Sequence, residues 1–166
     1  MLLQKNWQEL SNEFISKLNL KPNIYTTQIL FYNNYLEFFQ IIYLTNGIII
    51  DFSINIWHYI MLEILLLQKK ENEVGSSTMP QKVNLINFEQ AEGALGLVNA
   101  MFNFFIQKLV HSILQRDFSD SIIRLFFGEA LALTILGWQS VFYGLEKVYP
   151  NINFFKKKKL SKIIKF

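Results

Sequence analysis

The chain is 166 residues long, with 51% apolar residues, 16% aromatics, 17% charged residues and no cysteine. That length fits one domain, the apolar share excludes disorder as a description of the whole, and the lack of thiols excludes disulfides, thiolate metal sites and a cysteine nucleophile. The formal charge of +3 belongs to the tail: Lys156, Lys157, Lys158, Lys159, Lys162 and Lys165 lie in an acid-free stretch, 150–166, and the remaining basic residues against 13 acidic ones leave residues 1–149 mildly negative. The basic balance is therefore no reason to expect a nucleic-acid partner.

The first residues, Met1-Leu2-Leu3, lead into polar Gln4, Lys5 and Asn6 and form no secretory signal, so a cytoplasmic product is expected. Helical period then runs through almost the whole chain and strand alternation through almost none of it, which predicts an all-α fold, a bundle of long helices. The first helix is predicted over about Gln4 to Leu18, with Trp7, Leu10, Phe14, Ile15 and Leu18 on one stripe. It ends at a turn containing Pro22, and a polar segment, Tyr25-Thr26-Thr27-Gln28, follows. From Asn33 to Gln68 there is no proline and only Gly47 as a breaker, which predicts one helix of that length or two stacked with a kink near Gly47.

Residues 69–84 change character, with Lys69, Lys70, Glu71 and Glu73 followed by Gly75-Ser76-Ser77-Thr78-Met79-Pro80, and read as an extended loop. A third helix is expected from about Leu85 to Leu109, where Ala91, Gly93, Ala94 and Gly96 would permit close backbone approach. After a break around His111 to Asp120, a fourth helix, N-capped by Ser119 or Asp120, would run to about Val148 and stop before Pro150. Its stretch 125–143 has a single charge, Glu129, and small residues at Gly128, Ala130, Ala132 and Gly137. Composition there suits a membrane span or a helix buried on every side of a soluble bundle. The expected division is a helical body, 1–149, and a basic, frayed tail, 150–166.

The loop brings chemistry. The stretch Gly75 to Glu89, GSSTMPQKVNLINFE, resembles the signature of the fumarase, aspartase and adenylosuccinate lyase superfamily, with Gly-Ser-Ser, Met-Pro, Lys, Asn and Glu at the family's spacing. Flanking segments resemble the adenylosuccinate lyase family in particular: YTTQI at Tyr25 to Ile29, DFSINIWHYI at Asp51 to Ile60, FEQAEGALGLVNA at Phe88 to Ala100, and QRDFSDS at Gln115 to Ser121. The resemblance spans about Asn6 to Val148. Gln81 matches a residue more usual in argininosuccinate lyase.

The resemblance implies a β-elimination that releases fumarate from adenylosuccinate, giving AMP, and from the succinylated aminoimidazole carboxamide ribotide of purine synthesis. Such a reaction needs a base for a carbon-bound proton and an acid for the departing nitrogen. Ser76 would be the catalytic base, Ser77 would contribute binding, and Lys82 and Asn84 would hold a succinyl carboxylate. A serine serves as a base only where desolvation, positive charge and N–H donors depress its pKa. Glu89 would orient the loop from behind, Arg116 and Ser121 would contact the nucleotide side, and Gln28 would reach into a neighbouring subunit's site. The family implies a homotetramer, with no metal, no organic cofactor, no nucleic-acid partner and no membrane partner.

Several positions depart from the family's pattern. The second arginine expected four residues after Ser121 is Leu125, with Arg124 one place earlier and rotated by about 100° on a helix. Leu85 stands in place of the usual proline and Gln81 in place of the usual histidine. The family's general acid lies in a Thr-His-Gly-Gln-like segment upstream of the part matched; neither His58 nor His111 has that context. The expectation is a part of the central helical domain that is inactive alone. The competing reading is a non-catalytic helical or membrane-associated protein that uses 125–143 and the lysine tail.

Overall fold

The computed structural model describes residues 6–25, 31–68, 85–111 and 118–156. The expected all-α class holds: among the described residues the main elements are α1 (Trp7–Lys17), α2 (Asn33–Met61), α3 (Ile86–Leu109), α4 (Ser119–Leu125) and α5 (Phe127–Leu145), with two three-residue strands, β1 (Leu65–Leu67) and β2 (Val148–Pro150).

Three long helices form the body because each carries an apolar seam at alternating spacings of three and four, the pattern that keeps one stripe facing a neighbouring helix. On α3 the buried residues are Phe88, Ala91, Leu95, Val98, Phe102, Phe105 and Leu109. On α5 they are Ala130, Thr134, Gly137, Val141 and Gly144. The seam of α2 runs through Phe39, Ile42, Asn46, Ser53 and Ile56. α3 is the centre of the layer, with α2 packed on one side and α5 on the other. Side chains at one end, including Phe39, Phe102, Phe105 and Ile123, make one core, in which the Phe39 and Phe102 rings stack with centroids 5.2 Å apart. Ile56, Phe88, Ala91 and Val141 make a second core at the other end.

A polar layer on α2 lies between the two. Asn46 is fully buried; its side-chain amide donates to Asn99 Oδ1 at 3.2 Å and its Oδ1 accepts from the Trp138 indole at 2.9 Å. Asn99 in turn donates to the Tyr43 carbonyl at 3.3 Å. One side chain thereby joins α2, α3 and α5, and the Asn46 and Asn99 amides each both donate and accept a hydrogen bond.

The structure revises several expectations. Gly47 produces no break, and α2 is continuous from Asn33 to Met61. It stops seven residues short of Gln68 because Glu63 takes a left-handed conformation, φ 54°. Glu63 N then bonds to Ile60 O at 3.0 Å and Ile64 N to Tyr59 O at 3.0 Å, the paired bonds of a Schellman stop. The next residues leave the helix and pair as β1 with β2, antiparallel, with Leu65 opposite Pro150 and Leu67 opposite Val148. The fourth helix is likewise two, α4 and α5, interrupted at Phe126, and its N-cap is Phe118 rather than Ser119 or Asp120.

Gly93, Gly96 and Gly128 do not mediate close approach, since a Cβ on any of them would meet nothing within 4 Å. Gly137 and Gly144 do: a Cβ at Gly137 would lie 2.6 Å from Leu95 Cδ2, so α5 reaches α3 only because that position has no side chain. Residues 150–156, expected at the head of a frayed tail, continue from β2 into a single helical turn at 152–156, where Phe154 N bonds to Asn151 O at 3.1 Å. Residues 157–166 lie outside the described residues. The 125–143 stretch is not buried on every side, because Leu125, Ile135, Leu136, Phe142 and Tyr143 are exposed. By length and composition alone, Asn33–Met61 and Ser119–Leu145 are long and apolar enough to cross a membrane, a test that the core helix of a soluble protein also passes.

Candidate functional site

Of the residues singled out by the signature and its flanks, Glu89 and Ser121 are described; Gln28, Ser76, Ser77, Lys82, Asn84 and Arg116 lie outside the described residues. What the structure defines is the frame on which those segments begin and end.

Glu89 stands in the first turn of α3, where its carboxylate complements the positive end of the helix dipole. It is exposed and lines a cleft of about 340 Å³ together with Ser53, Ile54, Trp57, His58, Phe88 and Glu92. The cleft is where the second half of α2 passes the start of α3. Ser53 is buried and donates to the Ile49 carbonyl at 2.8 Å. His58 is exposed; its ring donates from Nδ1 to the Ile54 carbonyl at 2.8 Å and meets Trp57 edge-on with centroids 5.4 Å apart. That bond leaves Nε2 as the acceptor of the neutral ring. Among the described residues this cleft is lined by two carboxylates and no lysine or arginine, which by themselves do not suit a succinyl dianion. Among the described residues no group of three or more His, Asp or Glu could hold a metal ion.

Ser121 lies at the opposite end of the body, in the first turn of α4. Its hydroxyl donates to the Phe118 carbonyl at 2.6 Å, which leaves the oxygen lone pairs available as acceptors. Beside it stands a cluster that the sequence did not disclose. Asp120 is buried, and its Oδ2 accepts a hydrogen bond from the Tyr32 hydroxyl at the start of α2. The same oxygen lies 3.8 Å from the half-exposed Arg124 guanidinium. Burial, then the bond and the negative charge of Asp120, raise the Tyr32 pKa above its ordinary value of 10.0. Asp120 had the look of an N-cap in the sequence; here it ties the beginnings of α2 and α4 together. Arg124 turns toward Asp120, while Leu125, where the family pattern has arginine, is largely exposed.

Similarity to known proteins agrees with this frame. A family model described as Lyase matches residues 3–99, more than half of the chain. The chain is 42% identical over 146 residues to adenylosuccinate lyases of Buchnera aphidicola subsp. Baizongia pistaciae and of Legionella pneumophila (strain Corby), and 38% identical over 146 residues to that of Escherichia coli (strain K12). In each case the match takes in 88% of this chain and 32% of the relative, so the chain spans about a third of the length of these curated relatives.

Proposed function

The chain belongs to the lyase family whose model covers residues 3–99, and from that membership we propose that it carries the fumarate-releasing half of an adenylosuccinate lyase site. The observation that carries this reading is the 42% identity over 146 residues to enzymes of that name, a span that includes the complete Gly75–Glu89 signature.

In the proposed reaction Ser76 takes a proton from the succinyl carbon next to a carboxylate. The electron pair of that bond becomes the C=C of fumarate as the bond to the purine nitrogen breaks, and a general acid protonates that nitrogen. The Lys82 ammonium and Asn84 amide hold the carboxylate on which negative charge builds, and Ser77 adds a donor. Arg116 and Ser121 take the nucleotide side, and Glu89 orients the loop from the start of α3. Gln28 completes a neighbouring subunit's site. The elimination is redox-neutral, and no metal or organic cofactor is proposed.

The acid is assigned to a histidine segment supplied from outside this sequence. His58 sits on a helix with one ring nitrogen committed to its own backbone, and neither it nor His111 is assigned the role. The working assembly is a cytoplasmic homotetramer with sites shared between subunits, acting on adenylosuccinate and on the succinylated imidazole ribotide of purine synthesis. A complementation assay tests this reading. The purified chain is mixed with the upstream portion of a related enzyme, and fumarate release from adenylosuccinate is followed. The wild-type chain should restore turnover, Ser76→Ala should remove about 10³-fold or more of it, and Lys82→Ala nearly as much. Full turnover with Ser76→Ala would sink the assignment of the base.

A further inference from the structure

The segment carrying Ser76 and Lys82 leaves the described structure after Gln68 and returns at Leu85, so its presentation depends on what fixes those two stems. The first stem is β1 with its preceding turn, and the second is the opening of α3. Both converge on the chain at and just after the end of α5. On the first stem the Gln68 amide donates to the Lys147 carbonyl at 2.8 Å, and Asn151 donates from its backbone to Ile64 O at 3.0 Å and from its side chain to Glu63 O at 2.8 Å. On the second stem the Lys147 ammonium donates to Asn87 Oδ1 at 3.4 Å. One turn earlier, a Cβ at Gly144 would fall 2.8 Å from Phe88 Cζ and 3.2 Å from Asn87 Cβ. Leu65 from the first stem and Leu85 from the second pack on one apolar cluster with Leu145 and Val148.

We propose that the turn at Gly144–Lys147 is a positioning element that sets the separation of the two stems, with Lys147 coupling them, by its backbone on one side and its side chain on the other. Lys147 is a positioning residue in this scheme and touches no substrate. The functional meaning rests on the reading of Ser76 and Lys82 given above, because the separation of the stems limits where a connecting segment of fixed length can present those side chains.

Coupling across the stems is the property that distinguishes this role from ordinary packing. In the 166-residue chain, Asn87→Leu removes the acceptor on the second stem only. Hydrogen exchange should then speed up at the Gln68 amide on the first stem by about three-fold or more, with Val98 and Phe102 at the bundle centre unchanged. Lys147→Met should do the same and Lys147→Arg should restore wild-type exchange. A change confined to residues 85–89 in Asn87→Leu, with Gln68 unaffected, would overturn the coupling. In the complementation assay, Lys147→Met should lower kcat with KM unchanged, and a rise in KM alone would count against a positioning role. If the wild-type chain supports no turnover there, the functional reading fails, and the exchange measurement still decides whether the stems are coupled.

Discussion

The buried carboxylate of Asp120 shows how a single contact spanning the chain gives a local feature its meaning. An aspartate near the start of a helix satisfies a capping pattern, so nothing in its neighbourhood points to Tyr32, 88 residues away. Within the helix Arg124 is its ionic partner among the described residues, and that guanidinium is half-exposed at 3.8 Å, where an ion pair is worth little. Among the described residues the tyrosine bond is therefore the principal contact of this carboxylate. Its pH consequence has a definite sign. The folded state raises the Tyr32 pKa, so it holds the phenolic proton more tightly than the unfolded chain does. Stability from this source is complete below pH about 10 and is lost as pH rises through the window above it. Urea unfolding of wild type and Tyr32→Phe should show the variant less stable at pH 8, with the gap between the two narrowing at pH 11; a constant gap would remove the bond from the account.

At the level of the elements, the seams were legible and the places where they stop were not. Periodicity placed the third helix at 85–109, one residue from the observed Ile86–Leu109, because its three-four spacing is unbroken. The end of α2 escaped notice because the stop residue is Glu63. Glutamate in a left-handed conformation bears a steric cost that glycine avoids, so the sequence carries no glycine flag there. The strands escaped because the run Leu65–Leu67 is as apolar as the helix before it, and its partner is supplied from beyond α5. Glycines teach the same lesson from the other direction, since type alone did not separate those in tight contacts from those in open space. Gly137→Ala must displace Leu95 and should destabilise the chain by about 1–3 kcal/mol. Gly47→Ala, in mid-helix with nothing near its would-be Cβ, should stabilise by about 0.5–1 kcal/mol. Chemical denaturation of the two variants should give midpoints on opposite sides of wild type. The proposed functional segments were legible as a family resemblance because their residue types at fixed spacing are specific; the frame around them, from Lys147 to Asn46, consists of long-range contacts that no short window of sequence contains.

At the scale of the whole molecule, the apolar excess is not absorbed by the core. The stripe on α1 stays uncovered, with Trp7 73% and Phe14 63% exposed, and the outward faces of α2 and α5 carry Ile41, Leu44, Ile48, Leu136 and Phe142 in the same condition. Surfaces of this kind are uncommon on monomers and characteristic of faces that meet other chains. The chain in isolation should therefore associate in a concentration-dependent way at micromolar levels. Sedimentation velocity checks this, and a monodisperse monomer across that range would contradict it. The proposed tetramer offers such faces a destination, and substitution of Ile48 or Leu44 by lysine should weaken association with little effect on the unfolding midpoint of the bundle.

The β1–β2 pairing also bears on the order in which the chain assembles. Its partners are more than eighty residues apart, and between them lie α3, α4 and α5. Closing a loop of that length costs about 4 kcal/mol of chain entropy, against three residue pairs of short strand. The ribbon cannot meet that cost by itself. It has to wait until α5 lies along α3 and has shortened the distance, so it forms late in folding and opens early in unfolding. The β1 stem that leads into residues 69–84 would then be the last part of the body to reach native geometry, after the helices that surround it.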